Sequence, residues 1–286
     1  MVRREPGLVA HLRSMGVPTA IFVTANDGSF VSDAHGQPVH LQTFVDGVTV
    51  KQNRAPPWLL TASAEMLGRI CTALAGVRGL PEGFPAKWFA FDARRKELEY
   101  DALIIASSRN RKLTSAWRRE MADDLAFKRS ARADIASIKL GPRTFTRGAT
   151  HGDYSVRQVV LNGEQIAAVV DWSSASRQPY VWEVLRSYSY ADPASADARI
   201  DLDGVRRYVS TFLNYVSLTH RDLANAADLY YVQLLRSTYG YRQYLLEGAP
   251  LELLRFARWR TRLCRWLRKH RGDVAAALSD IAPNRA

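Results

Sequence analysis

One short segment constrains the fold of this 286-residue chain more than any other. Residues 151–172 contain two apolar runs, one at 159–161 and one at 166–170. The pair Asn162-Gly163 separates them, and such a pair between apolar runs is a strong signal for a two-residue β-hairpin. Because most of the remaining chain has helical periodicity, we predict a hairpin set into a largely helical protein.

Each end of the predicted hairpin carries an acidic residue. Asp153 precedes the first apolar run and Asp171 follows the second. A hairpin can fold back and bring two such carboxylates together. One would then accept a proton from a substrate hydroxyl, while the other holds Mg²⁺ under a nucleotide. Two acids also flank hairpins by chance, so the spacing alone leaves the catalytic interpretation open.

The sequence of this segment resembles the signature of the aminoglycoside phosphotransferase and choline kinase-like superfamily. This superfamily comprises small-molecule relatives of the protein kinases. The family signature is His-Gly-Asp, four residues, Asn, an apolar hairpin, and Asp followed by an aromatic residue. His151-Gly152-Asp153 and Asp171-Trp172 match the two ends of this signature. The resemblance implies transfer of the γ-phosphate of ATP (or GTP) to a hydroxyl of a small molecule, with Mg²⁺ as the metal.

Carried over position by position, the resemblance assigns roles to four residues. It implies that Asp153 is the catalytic base, that His151 braces the catalytic loop, and that Asp171 binds Mg²⁺. The family Asn that binds a second metal corresponds to Gln158. Gln keeps an amide oxygen, which is a hard ligand suited to Mg²⁺, on a stem one methylene longer. A buried His bonded to backbone is the alternative for His151, and it is compatible with the bracing role.

The order of predicted elements is that of an α+β, protein kinase-like two-lobed fold. A helix at 5–15 and β-rich runs that follow it make an incomplete small N-lobe over residues 1–47. Residues 48–286 make a mostly helical C-lobe that contains the catalytic hairpin region 144–172. The predicted C-lobe helices cover 58–74, 92–107, 114–138, 180–190, 203–215, 221–246 and 250–269.

Two features that the family has in its N-lobe are missing from this sequence. In the family, a glycine-rich strand pair and a strand with a phosphate-binding Lys precede the first N-lobe helix. Here that helix begins at about Glu5, and the earliest Lys is Lys51. A start codon placed too far downstream and a natural truncation both explain this. We expect an N-lobe with three or fewer strands, a nucleotide cleft open on one side, and weak nucleotide binding.

Segment 39–47 resembles the family's strand between the lobes, where backbone groups bind the adenine edge. The resemblance therefore places the nucleotide beside Gln42, Phe44 and Val45. Backbone recognition leaves no side-chain signature, so a plain edge strand remains the alternative.

The net charge of +12 is concentrated near the C-terminal end. Residues 255–271 contain eight Arg or Lys and no acid, with apolar residues at helical spacing. A helix docked by its apolar side, with a solvated arginine face, explains this pattern. An anionic partner such as nucleic acid or a lipid surface, or an acidic substrate, is the alternative. No nucleic-acid motif accompanies the charge, so we do not expect a nucleic-acid partner.

Three functions compete at this stage. The first is the small-molecule phosphotransferase, and the second is a catalytically impaired, kinase-like binding protein that uses the basic helix for partner contact. The third is a metal-dependent phosphohydrolase that uses Asp153 and Asp171. The sequence lacks the His-Asp clusters usual for two-metal hydrolysis, which argues against this third function.

The acceptor substrate cannot be read from the sequence. The acidic stretch 192–203 could hold a cationic acceptor, or it could be a solvated loop that caps the next helix. Tyrosines between 230 and 244 could flank a pocket or pack in the core. The positive net charge argues weakly against a strongly cationic acceptor.

The two cysteines, Cys71 and Cys264, both lie in apolar helical patterns. They predict buried thiols in a reducing, cytoplasmic protein rather than a disulfide. No apolar run approaches the roughly eighteen residues of a membrane span, and the first residues lead into no signal-peptide core. Nothing in the sequence indicates an oligomeric state.

Overall fold

The computed structural model describes residues 2–90 and 92–281 of the chain. They form the predicted α+β, kinase-like fold, with a small N-terminal lobe followed by a mostly helical lobe. Helix α1 (Glu5–Ser14) buries Leu8, Val9 and Leu12 against the helical lobe. It agrees with the helix predicted at 5–15.

Four short strands follow α1, one more than the maximum of three that we predicted. They form two antiparallel pairs, β1 (Phe22–Val23) with β4 (Leu41–Gln42) and β2 (Ser32–Ala34) with β3 (Gln37–Val39). The segment 39–47, which resembles the family's strand between the lobes, is not one continuous strand, because β3 and β4 pair with different partners on either side of His40. The His40 ring packs against Phe22 at 4.7 Å between ring centroids.

The predicted hairpin is present, with its turn one residue later than expected. Strands β7 (Val159–Asn162) and β8 (Gln165–Val169) are antiparallel, and Asn162 pairs with Gln165. The turn is therefore Gly163-Glu164, and Gly163 supplies the positive φ of 57°. Strand β5 (Val48–Thr49) pairs with β7 and joins the interlobe segment to the hairpin. A separate pair, β6 (Arg147–Thr150) with β9 (Ser176–Pro179), lies beside it.

The helical lobe holds most of the chain. Its helices are α2 (Pro57–Leu74), α3 (Ala86–Phe89), α4 (Ala93–Arg109), α5 (Ser115–Ala131), α6 (Ala133–Ser137), α7 (Tyr180–Ala191), α8 (Leu202–Phe212), α9 (His220–Arg236), α10 (Tyr241–Glu247) and α11 (Leu251–Ser279). Helix α3 lies between the helices predicted at 58–74 and 92–107, where no helix was predicted.

Two predicted helices are divided in the structure, and a third is longer than predicted. The helix expected over 114–138 breaks at Arg132. The helix expected over 221–246 breaks before Gly240, whose φ of 91° no helix can continue. Helix α11 runs ten residues past the predicted end at 269, because Val274 and Leu278 continue its buried face.

The arginines of α11 mostly face carboxylates of neighbouring helices. Arg258 pairs with Glu120 and Asp124, Arg265 with Asp124, Arg268 with Asp134 at 2.8 Å, and Arg271 with Asp228 at 2.9 Å. The docked-helix interpretation therefore accounts for the basic run, and the balancing acids come from α5, α6 and α9.

The cysteine prediction agrees with the structure, since Cys71 and Cys264 are buried and free. Burial raises the pKa of the Cys264 thiol to about 11. None of the described helices is both long and apolar enough to cross a bilayer.

Candidate functional site

The loop between β6 and the hairpin carries three predicted site residues, and its path depends on Gly152. Gly152 has a φ of 85°. A Cβ atom at this position would lie 1.8 Å from the carbonyl oxygen of Ser174, so only glycine fits. The loop therefore passes tightly against the chain that follows β8, and Asp153 comes directly after this close approach.

His151 is fully buried and ties this loop to the end of β8. Its Nε2 lies 3.0 Å from the carbonyl oxygen of Val170, and the N–H of Asp153 donates to its Nδ1 at 3.3 Å. A carbonyl can only accept, so Nε2 carries the proton and the ring is neutral. Burial lowers the pKa of His151, although the carboxylates of Glu183, Asp153 and Asp171 oppose this shift.

Asp153 lines a cavity of about 400 Å³. One carboxylate oxygen accepts from Arg186 in an ion pair, and the other accepts from Nε2 of Gln158 at 3.4 Å. The Asp153 side chain is 38% exposed, against 12% for Arg186. The carboxylate is therefore held in place by the protein while it stays accessible from the cavity.

Gln158 lines the same cavity, so the structure brings it and Asp153 together. Its amide nitrogen faces Asp153, and its amide oxygen accepts from the hydroxyl of Ser155. The oxygen that would bind a metal is thus engaged by a neighbouring hydroxyl.

Two supporting residues, Glu183 and Arg186, received no individual role from the sequence. Glu183 is buried, and its carboxylate accepts from the N–H of Tyr154 at 2.9 Å and from Gln178 at 3.3 Å. Arg186, one turn later on α7, also donates to the carbonyl of Tyr154 at 3.1 Å. Burial alone would lower the Arg186 pKa, but Tyr190 and Asp153 outweigh it and the pKa is raised. Both supporting residues lie in the helix predicted over 180–190, which was the one available signal.

Asp171 adopts a left-handed backbone conformation with a φ of 64°. Its side chain is exposed and accepts from the hydroxyl of Ser173 at 2.6 Å. Among the described residues, the lining of the cavity beside Asp153 includes Ser174 and does not include Asp171. The expectation that the hairpin brings both carboxylates together at one cavity is therefore not met, because Asp153 lines this cavity and Asp171 does not.

Glu5 lies at the start of α1 and reaches the residue after Asp171. Its buried carboxylate accepts from the N–H of Trp172 at 3.1 Å. Burial raises the Glu5 pKa, and the nearby His40 partly offsets this. Within residues 2–90 and 92–281, Glu5 forms no ion pair with a basic side chain.

The predicted nucleotide-contact residues follow β3. Gln42 is half-buried in β4, where it pairs with Phe22, and Val45 is half-buried in an irregular segment. Phe44 is 86% exposed. Residues 43–47 lead directly into β5 and so to the hairpin formed by β7 and β8. Gly47 lies against this hairpin, because a Cβ there would be 2.3 Å from the carbonyl oxygen of Leu161.

The sequence profile of the phosphotransferase enzyme family matches residues 2–215, which is most of the chain. This chain belongs to that family. The matched range includes every predicted site residue, from Gln42 to Asp171. A homoserine kinase of Mesorhizobium japonicum is 29% identical over 181 residues, which are 62% of this chain and 49% of the kinase. The chain thus spans about half the length of the curated relative that it matches.

Solved structures agree with the phosphotransferase family fold at low sequence identity. An aminoglycoside phosphotransferase from Alicyclobacillus acidocaldarius is 15% identical with a TM-score of 0.56, covering 96% of this chain and 83% of its own. A spectinomycin phosphotransferase in complex with ADP and spectinomycin is 10% identical with a TM-score of 0.56, covering 93% and 82%. A microcompartment-associated aminopropanol kinase is 15% identical with a TM-score of 0.54, covering 96% and 83%.

Proposed function

We propose that this protein transfers the γ-phosphate of ATP or GTP to a hydroxyl group of a small molecule. Membership of the phosphotransferase enzyme family supports the reaction class. The observation that carries the proposal is the setting of Asp153, a partly exposed carboxylate on a cavity, fixed by Arg186 and Gln158. Such a fixed and accessible carboxylate is what orientation of a hydroxyl nucleophile requires.

In this proposal Asp153 is the general base. It accepts the proton of the acceptor hydroxyl as that oxygen bonds to the γ-phosphorus. The bond from the γ-phosphorus to the bridging oxygen of the β-phosphate breaks, and the nucleoside diphosphate leaves. His151 keeps the loop in register with β8 and is a positioning residue, because both of its ring nitrogens are used in internal contacts.

Asp171 is the proposed ligand of one Mg²⁺ and Gln158 that of a second, since Gln158 lines the cavity beside Asp153 and Asp171 does not. Both offer hard oxygen atoms, and Mg²⁺ is commonly held by one or two carboxylates together with phosphate oxygens. When bound, Mg²⁺ would neutralise charge on the phosphates. Gln158 must release the hydroxyl of Ser155 to present its oxygen.

Gln42, Phe44 and Val45 are the proposed nucleotide contacts. Thr43 donates its backbone N–H to Ile21, whereas the irregular segment 44–47 joins the two lobes through β5 and its backbone groups would meet the edge of a base. Phe44 is an exposed aromatic ring next to these groups and would pack on the base.

A kinase-like binding protein without catalysis is the second candidate. The observation that favours it is Glu5, a buried carboxylate with no ion-paired cation among the described residues. The family resemblance would pair this Glu with the phosphate-binding Lys, which supports catalysis. In this candidate the nucleotide or another ligand binds and no phosphate is transferred.

Formation of nucleoside diphosphate, measured with a panel of hydroxyl compounds and Mg-ATP or Mg-GTP, tests the proposal. We expect acceptor-dependent turnover that is lost without Mg²⁺. Asp153→Asn should reduce turnover by about 10²-fold or more while binding of the nucleotide is retained. The matched control Asp197→Asn changes an exposed carboxylate away from the cavity and should behave as wild type. Nucleotide binding without turnover for any acceptor would instead support the binding protein.

A further inference from the structure

The cavity beside Asp153 is lined by an excess of positive charge. Three guanidinium groups, those of Arg157, Arg186 and Arg260, face it, and Asp153 is the one acid among its described lining residues. We propose that the acceptor is a hydroxy acid, whose carboxylate binds Arg260 while its hydroxyl group faces Asp153. This inference rests on the proposed phosphotransferase function and names its substrate class.

Arg260 is the residue on which the inference depends. Its side chain belongs to α11 and the residue is only 7% exposed. Its Nη2 donates to the amide oxygen of Gln233 at 3.3 Å, and its Nε has no hydrogen-bond partner within the described residues. It forms no ion pair with a carboxylate there either. An uncompensated buried charge is unfavourable, so this guanidinium is suited to an anionic ligand.

The other arginines of α11 provide a contrast. Arg258, Arg265 and Arg268 each lie within 4 Å of a carboxylate on α5 or α6. The same helix therefore has balanced guanidinium groups where it packs on its neighbours. Among the described residues Arg260 and Arg262 form no such pair, but Arg262 is exposed to solvent, whereas Arg260 is buried and lines the cavity.

The remaining two cavity arginines are placed differently. Arg186 already pairs with Asp153, so its charge is largely used within the site. Arg157 is exposed at the cavity and adds positive potential there. Both favour an anionic ligand over a cationic one by long-range attraction.

Aromatic rings occupy the wall near Arg260. Phe256 lies 5.6 Å from Tyr190 and 6.4 Å from Tyr239 between ring centroids, and the Arg260 guanidinium lies 5.5 Å from the Phe256 ring. A short hydrocarbon chain would pack against these rings, between the carboxylate at Arg260 and the hydroxyl at Asp153. The cavity volume of about 400 Å³ is sufficient for a small ligand of this kind.

The acidic stretch that could have held a cationic acceptor is used elsewhere. Asp192 accepts from Tyr188, and Asp201 caps α8 through the N–H of Gly204. Asp203 lines a different cavity together with Arg206. A cationic acceptor in the Asp153 cavity would therefore meet one carboxylate and three guanidinium groups.

Isothermal titration calorimetry in the absence of nucleotide tests the inference. It compares the binding of ω-hydroxy acids of three to six carbons with the binding of their primary amides. We expect at least one acid to bind about tenfold or more tightly than its amide, since a charge-assisted hydrogen bond is lost in the amide. Arg260→Gln should weaken binding of that acid by about ten- to a hundredfold and leave the amide unchanged. Arg262→Gln is the matched control, because it removes an equal charge from an exposed position two residues away.

Equal binding of acids and amides, tighter binding of the cation kanamycin, or unchanged acid binding in Arg260→Gln would overturn the inference. The comparison on wild-type protein decides the question even where the variant does not fold. The titration contains no nucleotide, so its result does not depend on phosphate transfer. The proposed reaction and the proposed substrate class can therefore fail separately. Acid binding without phosphate transfer would contradict only the enzymatic function, and transfer to kanamycin or to the amides would contradict only the substrate class.

Discussion

At the scale of single residues, the site is held together by groups that do not take part in the proposed chemistry. His151 is the clearest case, because it is buried, neutral and bonded at both ring nitrogens. Glu183 has a similar role on the other side of the loop, where it accepts from the N–H of Tyr154. The carboxylate of Asp153, the proposed base, is thus positioned by contacts to its backbone and to its side chain.

His151 should make stability depend on pH in a defined direction. Its pKa is lowered in the folded protein, so below about pH 6.5 the unfolded chain takes up a proton that the folded protein does not. The free energy of unfolding should therefore fall as pH drops from 7 to 5. Urea denaturation across this range should show a smaller decrease for His151→Asn than for wild type. An equal slope in both proteins would show that His151 is not the group responsible.

Gln158 offers a test of the metal assignment. Gln158→Asn should lower the Mg²⁺ concentration needed for half-maximal activity, because the shorter side chain can no longer reach the hydroxyl of Ser155 in the same way. Activity measured over a Mg²⁺ titration gives the result. If neither the metal dependence nor the rate changes, the amide of Gln158 has a structural role only.

At the scale of elements, the hairpin and the helix after it determine where the site forms. The hairpin was predictable because two apolar runs around Asn162-Gly163 permit few alternatives. The breaks at Arg132 and near Gly240 were not, because they depend on how α5, α9 and α10 pack together. The same limit applies to Arg260, which the sequence presented as one of eight basic residues in 255–271.

The loop 151–158 lies tightly against the chain after β8, and this close approach gives a prediction at this scale. Gly152→Ala would place a methyl group 1.8 Å from the carbonyl oxygen of Ser174, at a φ of 85°. It should displace Asp153, reduce activity strongly and lower the unfolding free energy by more than about 2 kcal/mol.

Gly163→Ala is the control for this prediction. It also has a positive φ, but nothing lies within 4 Å of the added methyl group. It should cost only about 1 kcal/mol from backbone strain and leave activity intact. Equal effects of the two substitutions in thermal unfolding and in activity would mean that the contact with Ser174 does not position the loop.

At the scale of the whole molecule, we do not expect the net charge of +12 to create a binding surface for polyanions. The arginines of α11 are mostly paired with acids from other helices. We therefore expect only non-specific DNA binding, with a Kd of roughly 10 μM or weaker at 0.15 M salt. Fluorescence anisotropy with a labelled 20-base-pair duplex measures this, and submicromolar binding would contradict it.

The kinase-like architecture also explains which parts of the proposed function could be predicted from the sequence. His151, Asp153 and Asp171 carry a recognisable order along the chain, so their proximity to one hairpin could be expected. The chemistry of the acceptor could not, because it depends on side chains from α7, α9 and α11 that are distant in sequence and meet only after folding.

The most direct test of the account is ³¹P NMR of the products formed from Mg-ATP and a panel of hydroxy acids. The account predicts that wild-type protein produces a phosphate monoester resonance together with ADP, in equal amounts, and that Asp153→Asn produces neither above background. Inorganic phosphate as the only product would indicate hydrolysis rather than transfer. A phosphate monoester formed equally well by Asp153→Asn would contradict the central role of this carboxylate.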